Sequence, residues 1–252
     1  MLFQRLIPSL LLKSGRLVKG VRYQGFRDAG NPRTTARAHN HQGADELIVV
    51  DIDASKNNCG PDVKTISTIA EECFMPLCVG GGIRDMVSAH ACMEAGADKL
   101  CLTTSAMDSP KLIAELAHRF GSQAIVVGID VAYDETGTAR LFDHRSGRII
   151  TNLDLWKYVE HVVKLGAGEI RLMAVDREGT LLGYDMSLFA RIKELVDIPI
   201  ILEGGAGSLH HLQEAFEAGV DGIASGAMLV FSDAKLVKIK KHMITNRCNI
   251  RD

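Results

Sequence analysis

The sequence predicts an α/β chain folded as a single (β/α)8 barrel, and three observations carry that prediction. Eight short runs rich in aliphatic residues alternate with eight stretches of helical periodicity. The strand-like runs are continuously apolar rather than alternating, which suits parallel strands covered on both faces. The chain has 252 residues, the size that eight β/α units need. A length prior alone would allow one or two domains. The count of units favours one, 1–252, with halves of roughly 1–122 and 123–252.

In order, the first strand is expected at 5–12, an apolar run that stops at Lys13, and its helix at 31–42. The second strand is expected at 46–52 and its helix at 61–73. The third, 77–79, leads into Gly80-Gly81-Gly82 and a helix at 85–95. The fourth, 99–102, is followed by a helix at 110–120, with apolar residues at i, i+3 and i+4. After the fifth, 124–130, comes a long polar segment at 134–151 with Gly137 and Gly147, either a hairpin or a lid. A helix follows at 153–165. The sixth, seventh and eighth strands are expected at 169–175, 200–202 and 222–225, with helices at 187–196, 209–218 and 233–244.

An internal repeat organises these units. Gly43-Ala44-Asp45-Glu46-Leu47…Asp53 returns 123 positions later as Gly166-Ala167-Gly168-Glu169-Ile170…Asp176. Pro76…Gly81-Gly82…Glu94-Ala95-Gly96-Ala97-Asp98 returns at the same offset as Pro199…Gly204-Gly205…Glu217-Ala218-Gly219-Val220-Asp221. The period is far too long for a solenoid. It means a barrel of two half-barrels, each of four units, with duplicate sites at equivalent strand ends. Such a barrel suits a substrate with two similar ends.

Composition excludes several classes. The net charge of −2 argues against a nucleic-acid or anionic-membrane partner, because both need a basic footprint. With 46% hydrophobic and 24% charged residues, the chain is not of the disordered class. No apolar stretch nears the ~18 residues of a membrane helix. The run Leu10-Leu11-Leu12 ends at Lys13 without a small-residue cleavage site, so no targeting signal is expected. The six cysteines form no CxxC and read as mostly buried free thiols of a reducing, cytoplasmic setting. His39 and His41, and the adjacent His210 and His211, read as surface or packing residues. Neither a metal site nor a cofactor is expected.

The duplicated glycines carry chemistry. Gly81 and Gly82 follow the third strand and precede a helix, and Gly204 and Gly205 do the same after the seventh. The next strands end in Thr103-Thr104-Ser105 and in Ser225-Gly226-Ala227. Glycines let backbone N–H groups approach an anion, and a helix N-terminus favours its charge. The expected phosphate cradles are therefore Gly81, Gly82, Thr104 and Ser105, and Gly204, Gly205, Gly226 and Ala227. The same glycines also serve the tight turns that any barrel needs.

These features, together with Val79-Gly80-Gly81-Gly82-Ile83-Arg84, Arg119-Phe120-Gly121-Ser122-Gln123, Asp176-Arg177-Glu178-Gly179-Thr180 and Gly183-Tyr184-Asp185, resemble the cyclase subunit family of imidazole glycerol phosphate synthase, HisF. The resemblance covers essentially the whole chain. It implies a TIM barrel that takes ammonia from a HisH-like glutaminase docked on its N-terminal face. The ammonia would cross the barrel and react with a two-phosphate ribulosyl-carboxamide nucleotide. The products would be imidazole glycerol phosphate and an aminoimidazole carboxamide ribotide.

By resemblance, the ammonia gate falls on Arg5, Glu46, Lys99 and Glu169, each opening a strand, and Asp98 falls at the partner interface. Two cations and two anions at the barrel floor can also be read as an ion-pair ring that serves stability. Of the family's two catalytic aspartates, the one on the fifth strand matches Asp130. The one on the first strand falls on Leu11, which cannot transfer a proton. Asp51 and Asp176 match polar positions near the substrate and also read as loop anchors. Glu203 stands where the family has a small residue, and a carboxylate beside a phosphate cradle is expected to repel the ligand. Thr103 and Ala227 are further departures. These changes suggest an alternative function, a cyclase-impaired paralogue that passes ammonia to a third enzyme amidating a surface-polysaccharide sugar.

Overall fold

The computed structural model describes residues 3–251. Eight parallel strands close into a barrel: β1 (Arg5–Lys13), β4 (Leu47–Asp51), β5 (Leu77–Gly80), β6 (Lys99–Leu102), β7 (Ile125–Tyr133), β10 (Glu169–Ala174), β11 (Ile200–Glu203) and β12 (Gly222–Ser225). Closure is made by β7 on β10, with Arg171 opposite Gly128 and Met173 opposite Asp130. The eight expected strands are therefore these eight, with ends shifted by a few residues. The largest shift is in the fifth, which runs on to Tyr133.

Four further strands form two hairpins that the apolar pattern does not reveal. β2 (Arg16–Val21) and β3 (Gln24–Gly30) fold back antiparallel on β1. β8 (Ala139–Asp143) and β9 (Arg148–Ile150) do the same on β7. The open choice at 134–151 thus resolves as a hairpin. The two hairpins follow the first strands of the two halves, and their rings meet: Tyr23 and His144 have centroids 4.2 Å apart.

The helices are α1 (Pro32–His41), α2 (Val63–Ala70), α3 (Met86–Glu94), α4 (Thr104–Asp108), α5 (Lys111–Phe120), α6 (Leu155–Lys164), α7 (Met186–Lys193), α8 (Leu209–Glu217), α9 (Ala227–Phe231) and α10 (Leu236–Thr245). Most begin at a side-chain cap. Asn31, Asp62, Asp154, Asp185 and Ser208 each accept a backbone N–H, and Asp85 with Ser88 forms a capping box. The offset of 123 reappears in three dimensions. It relates α4 to α9, and Gly81 (φ +93°) to Gly204 (φ +95°). A side chain is excluded at both glycines, since a Cβ would lie 2.2 Å from the Asp51 carbonyl oxygen at Gly81 and 2.6 Å from that of Ala174 at Gly204.

Strand periodicity divides the side chains. One set of faces packs outward against the helices in the main core, including Leu6, Val49, Leu100, Val127, Leu172 and Ile223. The other points into the bore, where Ile7, Ile48, Cys78, Cys101, Val126, Ile201 and Ala224 form a separate buried cluster. The bore is therefore filled at mid-height, with polar residues below and above that layer.

Candidate functional site

The floor of the bore carries the ring. Arg5 bonds Glu46 at 2.6 Å and also bonds Glu169. Lys99 bonds the same two carboxylates, Glu46 at 2.9 Å and Glu169 at 2.8 Å. All four expected gate residues are thus brought together, each cation touching both anions. Burial lifts the Glu46 carboxyl, against the pull of Lys99 and Arg5. Burial alone would lower both cations, but the carboxylates outweigh it and hold Arg5 and Lys99 charged. Asp98 lies exposed on this face, and its Oδ2 accepts the Leu77 N–H at 2.8 Å. Asp45 and Asp221 accept Leu6 N–H and Ile200 N–H in the same way, so this carboxylate also ties the starts of neighbouring strands.

Above the apolar layer the bore turns ionic. Arg171, two residues above Glu169, is 1% exposed and donates from Nε to Glu203 Oε2 at 2.5 Å. Its Nη1 lies 3.8 Å from Asp130 Oδ1. Glu203, expected to face the second phosphate cradle, instead points into the bore as the partner of Arg171. Period two explains this: Ile201 faces the bore, so Glu203 does too. The predicted repulsion of a phosphate is corrected accordingly. A buried pair of this kind costs desolvation that its attraction only partly offsets.

Asp130, 4% exposed, ends the fifth barrel strand on the active face. His144 Nε2 lies 2.9 Å from its Oδ2. The His144 ring is held between Tyr23 and Phe142. Burial would raise the Asp130 carboxyl, but the His144 bond and the charges of His144 and Arg171 bring it below its usual value. The carboxylate is therefore held ionised, available as a hydrogen-bond acceptor on the active face.

Asp130, Arg171, His144 and Arg145 line one open pocket with Gly81, Gly82, Thr104, Ser105, Asp51, Lys13 and Lys56. The first cradle and the catalytic candidate are thus brought together. Asp51 reaches the pocket, and its Oδ1 also anchors the loop by accepting the N–H of Asp53 and Ala54. Burial raises its carboxyl.

The second cradle is placed differently. Gly204, Gly205, Gly226 and Ala227 are buried and do not line that pocket. The β2–β3 hairpin and the loop after β10 cover them. Lys19 pairs with Glu178 in a buried bond, Arg22 N–H reaches Glu178 O at 2.8 Å, and Gly183 N–H reaches Gly205 O at 2.8 Å. A Cβ at Gly226 would lie 2.6 Å from Lys19 Nζ. Asp176 is exposed, its Oδ2 accepting Tyr133 N–H at 2.8 Å, away from the main pocket. Leu11 is 2% exposed, sits between Val18 and Val50 in the sheet, and does not line the pocket.

Sequence reasoning missed Arg171 and His144. Arg171 lay inside a run read as apolar, although a charge two residues above Glu169 on the inward face was a usable signal. His144 needed the hairpin fold to reach Asp130. Among the described residues, no three His, Cys, Asp or Glu side chains gather as a metal site requires.

Comparison with known proteins gives a consistent result. The profile of a family described as "Histidine biosynthesis protein" matches residues 5–235. The chain is 39% identical to the imidazole glycerol phosphate synthase subunit HisF of Wolinella succinogenes over 250 residues, 99% of this chain and 98% of that one. It is 40% identical to HisF of Geobacillus kaustophilus over the full length of both chains. It is also 40% identical to HisF of Streptomyces coelicolor over 94% of each.

Proposed function

The chain belongs to the histidine biosynthesis family, in its HisF branch, and from that premise we propose that it is the ammonia-receiving, cyclase-type barrel of a glutaminase-coupled synthase. The observation that carries this reading is the floor ring of Arg5, Glu46, Lys99 and Glu169. Packing alone would fill a barrel floor with apolar side chains, because buried charges cost desolvation. Charges that satisfy one another close the bore, and a single arm swinging away opens it. On this reading a HisH-like glutaminase docks around exposed Asp98. Ammonia then rises through the bore to the pocket, where one phosphate of a two-phosphate ribulosyl-carboxamide nucleotide rests on Gly81, Gly82, Thr104 and Ser105. The other phosphate takes the cradle of Gly204, Gly205, Gly226 and Ala227 once the hairpin over it moves. Asp130 is the base, and Asp51 and Asp176 hold loops around the ligand. The products are imidazole glycerol phosphate and an aminoimidazole carboxamide ribotide.

Leu11 supports a second reading. The resemblance puts a second acid–base carboxylate there, and a buried leucine stands instead. Loss of such a group costs ~10²–10⁴ in rate. A barrel with the gate but without that group would pass ammonia to a third enzyme, one amidating a surface-polysaccharide sugar.

The two readings separate in one assay. The purified barrel is given ammonium and the nucleotide, and imidazole glycerol phosphate is followed. Turnover at the rate of HisF subunits carrying both aspartates supports the cyclase reading, and its absence supports the conduit. If there is none, Leu11→Asp alone is expected not to restore it, because the second cradle is altered as well, at Ala227.

A further inference from the structure

Asp130 and His144 form a dyad whose two members are unequally exposed. His144 Nε2 lies 2.9 Å from Asp130 Oδ2, and the ring is clasped by Tyr23 and Phe142, with centroids 4.2 and 4.9 Å away. An ionised carboxylate only accepts hydrogen bonds, so the hydrogen of that bond sits on Nε2. The neutral ring then carries its free lone pair on Nδ1. Nδ1 has no hydrogen-bond partner among the described residues and is not one of their buried unmet atoms. It is therefore open to solvent, on a ring that lines the main pocket together with the first cradle.

Asp130 is less well placed to meet a ligand. Its side chain is 4% exposed, against 24% for His144. Its Oδ1 is buried, 3.8 Å from Arg171 Nη1, and its Oδ2 is taken by the ring. The accessible basic atom of the pair is thus on the imidazole. A buried aspartate in this position holds a histidine in one tautomer and stabilises its charged form. Nε2 keeps its hydrogen in both forms, so the ring can gain and lose a proton at Nδ1 without breaking its bond to Asp130. The other charged or titratable groups around the dyad are Tyr23 from the first hairpin, Arg171 from the barrel, and Arg145, next in the chain and paired with Asp108 and Asp143. We propose that His144, through Nδ1, is the group that exchanges a proton with the bound ligand, and that Asp130 is the positioning residue that holds the ring. A ligand N–H or O–H bond breaks, its electron pair stays on the ligand, and Nδ1–H forms. The imidazolium is then paired with Asp130 and returns the proton to a leaving group. The proposal rests on the cyclase reading and deepens it, since the base there becomes a pair whose accepting atom is on the ring.

The test gives the full chain ammonium and the nucleotide at a series of pH values. His144→Gln keeps an N–H for Asp130 and cannot titrate. It should lower kcat by ~10²–10⁴ with little change in KM, and the acid limb of the pH profile should vanish. Imidazole added to His144→Ala should restore part of the loss, in step with the titration of the added base. A His144→Gln variant with the wild-type rate, or with the wild-type acid limb, would make the ring a mere prop for Asp130 and overturn the assignment. A second arm needs no turnover. Nitrogen-15 histidine spectra should show the neutral His144 ring with its hydrogen on Nε2, and the nucleotide should shift Nδ1. Asp130→Asn should lower the His144 midpoint by about one to three pH units. If the wild type does not turn over, the cyclase reading falls by itself. A nucleotide that leaves Nδ1 unshifted then overturns the assignment as well, and a shifted Nδ1 on a ring with its hydrogen on Nε2 sustains it.

Discussion

The two charged levels of the bore are built on different balances. At the floor, two cations meet two anions, and each cation bonds both carboxylates. Higher up, Arg171 bonds Glu203 and lies 3.8 Å from Asp130, whose other oxygen meets His144. The floor ring balances its charges, although Glu46 Oε1 is left without a hydrogen bond there. The upper group sets two carboxylates against one guanidinium. Buried ion pairs are thus matched in number at one end of the bore and unmatched at the other.

The sharpest way to break this contrast is to remove one partner from each level. Glu203→Leu leaves the buried Arg171 facing only the more distant Asp130. It should cost about 3–5 kcal/mol, read by urea unfolding. The double variant Arg171→Leu/Glu203→Leu should recover most of that loss, since an apolar pair of similar volume often replaces a buried ion pair without penalty. Additive losses in the double variant would show that the two residues do not act as a pair. At the floor, Lys99→Met leaves Arg5 still bonded to both carboxylates, so the expected cost is smaller, about 1.5–3 kcal/mol. A floor variant that costs more than Glu203→Leu would reverse the comparison.

A finer test concerns protons. The Asp130 carboxyl is held low by His144 and Arg171 against burial, which would raise it. Because its folded value is depressed, its stabilising contribution is present above the unfolded carboxylate value and is lost as pH falls through the folded value. His144→Ala removes the bond and should move the Asp130 carboxyl upward, so that acid destabilisation begins at a higher pH. Carbon-13 NMR titration of that carboxyl measures the shift, and an unmoved value would assign the depression to Arg171 alone. The smallest effect is expected at the exposed Arg145–Asp108 pair, where Arg145→Ala should change stability by no more than about 1 kcal/mol.

The floor was legible through the resemblance, which put its four residues at the starts of strands, where the structure brings their charges together. The eight strands were legible from their composition: parallel strands buried on both faces are apolar throughout. The hairpins were not. β3, Gln24–Gly30, is largely exposed and polar, and its tight turn depends on positive φ at Arg22, Tyr23 and Gly25. Glu203 was noticed but assigned to its glycine neighbours along the chain, whereas strand alternation sends it into the bore. Arg171 passed unseen because one polar residue does not alter the apolar character of its strand. His144 lies 14 residues from Asp130, and only the fold of β8 returns it to the strand end.

The central claim is that nitrogen released at the floor travels inside the barrel. With the glutaminase bound, glutamine labelled with nitrogen-15 at its amide is supplied together with excess unlabelled ammonium. The isotope is then measured in the aminated product, which is imidazole glycerol phosphate on the first reading and the amidated sugar on the second. The account predicts product carrying mostly the glutamine nitrogen in the wild type, and product matching bulk ammonium in Lys99→Met. Wild-type product with the isotopic composition of the bulk would contradict it.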